Sequence, residues 1–255
     1  MKTALITGAS SGIGLELAHI FASNNINVIL VARSEKTLTD LAETLVKKHG
    51  ITAQVFVKDL TIEANVKSLF DELANQQIDY LVNNAGFGTF APFSETKWET
   101  SAQMIALNIT TLTYLTRLFL PQMIANKSGK ILNIASVAAF LPGPYMAVYY
   151  ATKAYVLHFS EAIAQELKNT GVTVTTLCPG PTESQFMDVS GMAESKLIKG
   201  KKLPTSNQVA EYGYDAMMRG QHVAVHGLAN YILSLLPRFF PRRITSWMVG
   251  LIQKK

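Results

Sequence analysis

Cysteine is nearly missing from this chain: Cys178 is alone among 255 residues. One thiol cannot close an internal disulfide, and a chain without such bridges fits a reducing compartment. Long apolar runs are missing too. None approaches the roughly 18 residues a membrane-crossing helix needs, although 48% of the residues are hydrophobic. Met1 and Lys2 lead straight into the first apolar run, so no signal peptide is expected and the expected location is the cytoplasm. Acidic residues are absent after Asp215, where the chain carries Arg219, Arg238, Arg242, Arg243, Lys254 and Lys255. The net charge of +5 therefore belongs to the tail, and residues 1–215, with 17 basic and 18 acidic side chains, carry a net −1. Nucleic-acid binding needs a basic face on the main domain, so no such partner is expected.

What is present is alternation. Apolar, β-rich runs at 3–7, 27–32, 52–58, 80–83, 129–134, 173–178 and 222–225 predict strands, with helical periodicity near 13–24, 36–48, 63–76, 98–125 and 147–169. Strands apolar throughout suit a sheet covered on both faces. Strand–helix alternation of this kind gives right-handed βαβ units in an open, doubly wound α/β sheet. No repeat, low-complexity segment or linker divides the chain, so residues 1–255 are expected to form one domain with ample core. Two segments break the rhythm. The stretch 182–207 is polar and mixed, with a basic cluster at Lys199, Lys201 and Lys202, and reads as a substrate flap. The segment 228–255 alternates apolar stretches with basic residues. It suits either an interfacial membrane helix or the more ordinary helix packed on its own domain or on a second subunit.

The first strand runs into Thr7-Gly8-Ala9-Ser10-Ser11-Gly12-Ile13-Gly14 and then a helical pattern. Strand, glycine turn and helix together point backbone N–H groups at an anion. A β-carbon would block both the turn and the approach of a pyrophosphate. The turn residues Gly8, Ser10, Ser11, Gly12, Ile13 and Gly14 are thus candidate cofactor contacts. Arg33 follows Gly14 by nineteen residues, where NAD-binding folds usually place an acid for the ribose hydroxyls. A guanidinium instead stacks on adenine and pairs with a 2′-phosphate, which points to NADP over NAD, with Glu35 close enough to serve a ribose. Asp59 with Leu60 after the third strand, and Asn84, Ala85 and Gly86 after the fourth, would reach the same crevice.

Tyr149 and Lys153 are four apart and share a helix face. A phenol is a poor base near neutrality, and an adjacent ammonium lowers its pKa and makes it usable as acid and base. Ser136, after the fifth strand, is placed to hold a substrate oxygen. Tyr150 is three from Lys153, so spacing alone does not choose between the tyrosines.

Thr7-Gly8-x-x-x-Gly12-x-Gly14, Asn83-Asn84-Ala85-Gly86, Ser136, Tyr149-x-x-x-Lys153 and Cys178-Pro179-Gly180 together resemble the ordered motifs of the short-chain dehydrogenases/reductases over about residues 1–185. The looser likeness within that family is to bacterial DltE-like reductases and to ketoacyl and hydroxysteroid reductases. The resemblance implies a single-domain Rossmann fold with a seven-stranded parallel sheet and helices on both faces. It selects Tyr149 as the proton donor or acceptor and gives Lys153 the lowering of its pKa and a bond to the nicotinamide ribose. It gives Ser136 the orientation of the substrate oxygen and Asn108 the positioning of a relay water. Asn84 and its neighbours would line the adenosine ribose, and Pro179, Gly180 and Thr182 would shape the nicotinamide pocket. Hydride transfer between an NADP cofactor and a carbonyl or alcohol is the implied reaction; a regulator that binds NADP(H) without turnover is the alternative, and an intact proton-transfer set argues against it. Homo-oligomers are common in the family. Phe87, Phe90, Phe140-Leu141-Pro142, Tyr145, Phe186 and Met187 are candidate pocket walls, favouring an apolar carbonyl compound. No metal site is expected.

Overall fold

The computed structural model describes residues 1–191 and 202–253. Seven strands, β1 (Thr3–Thr7), β2 (Asn27–Ala32), β3 (Ala53–Val57), β4 (Tyr80–Asn83), β5 (Gly129–Ile134), β6 (Val172–Cys178) and β7 (Val223–Val225), form one parallel sheet in the order β3-β2-β1-β4-β5-β6-β7. The helices between them are α1 (Gly12–Ser23), α2 (Glu35–His49), α3 (Glu63–Glu72), α4 (Trp98–Ile105), α5 (Leu112–Ala125) and α6 (Ala147–Glu166). After β6 come α7 (Phe186–Ser190) and α8 (Ser206–Met218), and after β7 come α9 (Leu228–Phe239) and α10 (Arg242–Gln253).

The apolar strands separate cleanly by the two-residue period of extended chain. Ala4 and Ile6 of β1, Val28 and Leu30 of β2 and Val82 of β4 face one core with α1, α2 and α8. Leu5, Ile29, Val31 and Leu81 face the other, with α3 and α5. Each face is roofed by helices, which is why these strands carry no polar alternation. Phe21 ties the first core together, its ring 5.3 Å from Tyr80 and 5.1 Å from Tyr214.

All seven expected strands form, with ends moved by a residue at β3, β6 and β7. The expected helix at 98–125 is a correction. A wide π turn, Ala106–Thr111, separates α4 from α5, and Asn108 lies inside it. The expected helix at 63–76 ends at Glu72. Within the 182–207 stretch, residues 205–207 belong to the cap and first turn of α8, where Thr205 and Gln208 make a reciprocal capping box. Lys199 and Lys201 of the expected basic cluster, and Lys254 and Lys255 of the tail, lie outside the described residues. No helix among the described residues is long and apolar enough to cross a membrane.

Candidate active site

The strand order reverses between β1 and β4, and ligands of open α/β sheets bind outside the carboxyl ends of the strands at that reversal. Both expected turns meet there. Thr7 Oγ1 accepts from the backbone N–H groups of Asn84 and Ala85 at 3.0 Å each, and Asn84 Nδ2 donates to the carbonyls of Thr7 and Gly8 at 2.9 and 3.1 Å. Gly8 has φ +66° and Gly12 φ +55°, the left-handed region that glycine enters without penalty. A β-carbon on Gly14 would sit 2.3 Å from the Gly8 carbonyl oxygen. The start of α1 therefore packs directly on the backbone of the turn, with no room for a side chain. Ser11 is the N-cap of α1, and its side chain makes no capping bond to the helix. The first-turn N–H groups have no intrahelical partner and are presented to an anion. This cradle fits the diphosphate of a dinucleotide.

Along the same edge, Arg33 follows β2 and Asp59 follows β3. The Asp59 carboxylate accepts from Thr61 N at 3.0 Å and Thr61 Oγ1 at 2.8 Å. Its pKa falls below the usual value through the Thr61 backbone bond first, with Arg33 adding a charge contribution. Leu60 is buried and its carbonyl accepts from Thr111 Oγ1.

Ser136 caps a short 3-10 turn, Val137–Phe140, by accepting from Ala138 N at 3.1 Å. Its hydroxyl also donates to Pro179 O at 3.3 Å, and Val137 N donates to the same carbonyl, so the ends of β5 and β6 are tied at this point. Tyr149, on the first turn of α6, turns its phenol to Ser136. Lys153 Nζ lies 5.8 Å from the Tyr149 ring centroid and donates to Ile134 O at 2.7 Å. Tyr150 points elsewhere, accepting from Gln253 of α10. Geometry thus separates two tyrosines that spacing left equivalent.

The electrostatics correct one expectation. Burial, opposed by the nearby Ser136 hydroxyl, pushes the Tyr149 phenol up to about 12 rather than down. Burial likewise pulls the Lys153 ammonium down to about 8. Desolvation disfavours whichever form is charged, phenolate in one case and ammonium in the other, and it is the largest cause of both shifts.

Asn108 is buried at the rim of this group. Its Oδ1 accepts from Phe87 N at 3.1 Å, while Nδ2 donates to Phe87 O at 3.0 Å and to Thr152 Oγ1 at 3.0 Å. The amide holds the loop after β4 against α6, and π turns recur where a side chain must be re-aimed at a site. Around Tyr149, the apolar wall consists of Met104, Ala138, Met146 and Met187, with Phe87, Phe90 and Phe186 partly buried beside them. The Phe186 ring is 5.4 Å from that of Tyr149. Phe140 does not join this wall; it packs with Leu112, Val156 and Cys178 on the far side of the 3-10 turn.

A family model described as short chain dehydrogenase matches residues 2–194. The chain belongs to this family. Mouse 17-beta-hydroxysteroid dehydrogenase type 3 is 35% identical over 94% of this chain and 77% of its own length. A short-chain dehydrogenase from Sphingobium yanoikuyae, solved in complex with NADPH, superposes with TM-score 0.84 at 30% identity, covering 93% of this chain and 94% of its own. A family member from Burkholderia phymatum, in complex with NAD, gives TM-score 0.84 at 25% identity over 93% and 92% of the two chains. The protein is an NAD(P)-dependent short-chain dehydrogenase/reductase acting on the CH–OH group or its carbonyl counterpart.

Within this short-chain dehydrogenase the sequence-expected residues gather along one edge of the sheet. Gly8 to Gly14, Arg33, Asp59, Asn84 to Gly86 and Pro179 to Thr182 all follow the carboxyl ends of β1 to β4 and β6. Asn84 takes a bracing position, its amide engaged by Thr7 and Gly8. Thr182 is buried and bonds Gly180 O at 3.0 Å. The sequence reading missed Met104, Met146 and Thr152. Met104 and Asn108 are four apart on one chain segment, and Thr152 precedes Lys153, but only the packed structure shows them meeting the tyrosine. The open cavity of about 630 Å³ lined by Lys2, Gln54, Gln76 and Asp79 lies at the amino ends of the strands, away from this edge.

Proposed function

We propose that the chain is an NADP(H)-dependent reductase that interconverts an apolar carbonyl compound and its alcohol, with Tyr149 as the proton-transfer residue. The observation that carries this reading is the Tyr149 phenol beside Ser136 inside a wall of Met104, Met146, Met187 and Phe186. When bound, the nicotinamide cofactor supplies or takes up the hydride. The diphosphate would rest on the Gly8–Gly14 turn, and Arg33 would meet the 2′-phosphate. The solved relatives bind NADPH in one case and NAD in another, so the preference rests on Arg33.

Ser136 donates to the substrate oxygen and fixes the carbonyl against Tyr149. The phenol, neutral at pH 7 with its pKa near 12, gives its O–H proton as charge develops on that oxygen. An alkoxide is a stronger base than a phenolate, so this transfer runs downhill and favours reduction near neutrality. Lys153, 5.8 Å from the ring, stabilises the phenolate left behind. Asn108 enters as a positioning residue, holding the Phe87 wall and Thr152. The methionine and phenylalanine side chains exclude water and select an apolar substrate. Phe186 and Met187, near the start of the expected flap, supply part of this wall.

The test is consumption of NADPH against NADH with ketones, aldehydes, ketoacyl thioesters and steroids. NADPH-dependent turnover of an apolar carbonyl supports the reading. Arg33→Asp should move preference toward NADH, and an unchanged preference would remove Arg33 from the 2′-phosphate.

A further inference from the structure

A helix on a protein surface ordinarily buries its apolar stripe and exposes its polar one. The two C-terminal helices do the reverse. On α9, Leu228, Ile232 and Phe239 recur at helical spacing and are exposed, Phe239 to 77%. Ser234 is the buried side chain of that helix. On α10, Ile244, Trp247 and Leu251 share one face and are exposed, Trp247 to 64%. The opposite face, buried against the domain, carries Thr245, Val249 and Gln253. This stretch is also where acidic residues are absent and basic ones collect, with Arg238, Arg242 and Arg243 exposed around the turn that joins the helices.

We infer that α9 and α10 form a docking surface for an anionic lipid bilayer. Apolar and aromatic side chains on one face with arginines at the helix junction are the pattern that settles at the headgroup–acyl boundary. Trp and Tyr favour that depth, and exposed cations gain from anionic headgroups. A second copy of the chain is the weaker occupant. A two-fold contact would set this surface against itself and bring Arg238, Arg242 and Arg243 of each copy toward those of the other, with no acidic residue in the segment to offset them. The docking surface also adjoins the pocket. Gln253 donates to Tyr150, the neighbour of Tyr149, and a β-carbon on Gly250 would lie 3.5 Å from Pro144 in the loop before α6. The bilayer-facing helix therefore sits on the rim of the apolar wall, an arrangement that offers the pocket to a lipid-borne substrate.

The experiment is flotation of the full-length protein with vesicles of phosphatidylcholine alone and with added phosphatidylglycerol. The comparison is with the double variant Phe239→Ser/Trp247→Ser and with Arg242→Ser/Arg243→Ser. Circular dichroism and thermal unfolding verify that the variants fold. The proposal expects flotation only with the anionic vesicles, weakened by raised salt, and a loss of at least about tenfold in partitioning in either variant. With Trp98→Phe leaving Trp247 as the sole tryptophan, its emission shifts to the blue on vesicle addition. Wild type that stays with the aqueous phase, that floats equally on neutral vesicles, or that floats like the double variant overturns the proposal. So does self-association, measured by sedimentation, that the double variant abolishes while no vesicle binding is seen. None of these readouts depends on the substrate or cofactor assignment.

Discussion

Tyr149 and Tyr150 are adjacent in sequence and different in chemistry, because one phenol faces Ser136 and the other Gln253. Tyr149→Phe should lower turnover by on the order of 10²- to 10⁴-fold while leaving cofactor affinity unchanged. Steady-state kinetics and a fluorescence titration of NADPH read the two effects separately. Tyr150→Phe keeps the proton donor and should keep turnover. Lys153 yields a prediction in pH. Its folded pKa of about 8 lies below the ordinary value of 10.5. Below pH 8 both folded and unfolded chains hold the proton, and burial of the ammonium costs about 3 kcal/mol. Between about 8 and 10.5 the unfolded chain holds more protons, so stability rises with pH through that window. Denaturant unfolding across pH 7–9, below the range in which the buried Cys178 thiol acts in the opposite direction, should show the rise in the wild type and lose that component in Lys153→Met. The pairing of Tyr149 with Lys153 was legible from their spacing, and the choice of Tyr149 came from its distance to Ser136 in a family pattern. The direction of the pKa shifts was not legible, since desolvation depends on what surrounds a group rather than on its neighbours along the chain.

At the scale of elements, the glycine turn is the part most tightly constrained by geometry. Gly14→Ala puts a methyl 2.3 Å from the Gly8 carbonyl and 2.4 Å from Asn84 Nδ2, so backbone must move. A stability loss of about 1–3 kcal/mol should accompany a fall in cofactor affinity, because the turn and the first N–H groups of α1 shift together. Gly50, the left-handed C-cap of α2, has nothing within 4 Å of its would-be β-carbon. Gly50→Ala should therefore cost only the backbone strain, about 1–2 kcal/mol, with cofactor affinity unchanged. Thermal unfolding with and without NADPH separates the two variants. The π turn at Ala106–Thr111 shows the opposite degree of legibility. Its apolar spacing matches an ordinary helix closely enough that one inserted residue leaves no mark in the pattern, yet that insertion aims Asn108 at Phe87 and Thr152.

Across the whole molecule, the two cores on either side of the sheet hold the turns at its edge in register. Phe21 joins α1, β4 and α8 through its contacts with Tyr80 and Tyr214. Phe21→Ala should cost about 3–5 kcal/mol, lowering the unfolding midpoint in denaturant while activity per folded molecule persists at low temperature. Chain order alone carried the alternation of strands and helices, the cradle glycines and the order of the motifs, since period and backbone freedom are local properties. The same local character made the tail's charge and apolar content visible. Which face of α9 and α10 meets solvent, which residues line the wall around Tyr149 and how far burial moves a proton were set only when distant segments packed. Each of those depends on contacts between residues far apart in the chain, and no local pattern contains them.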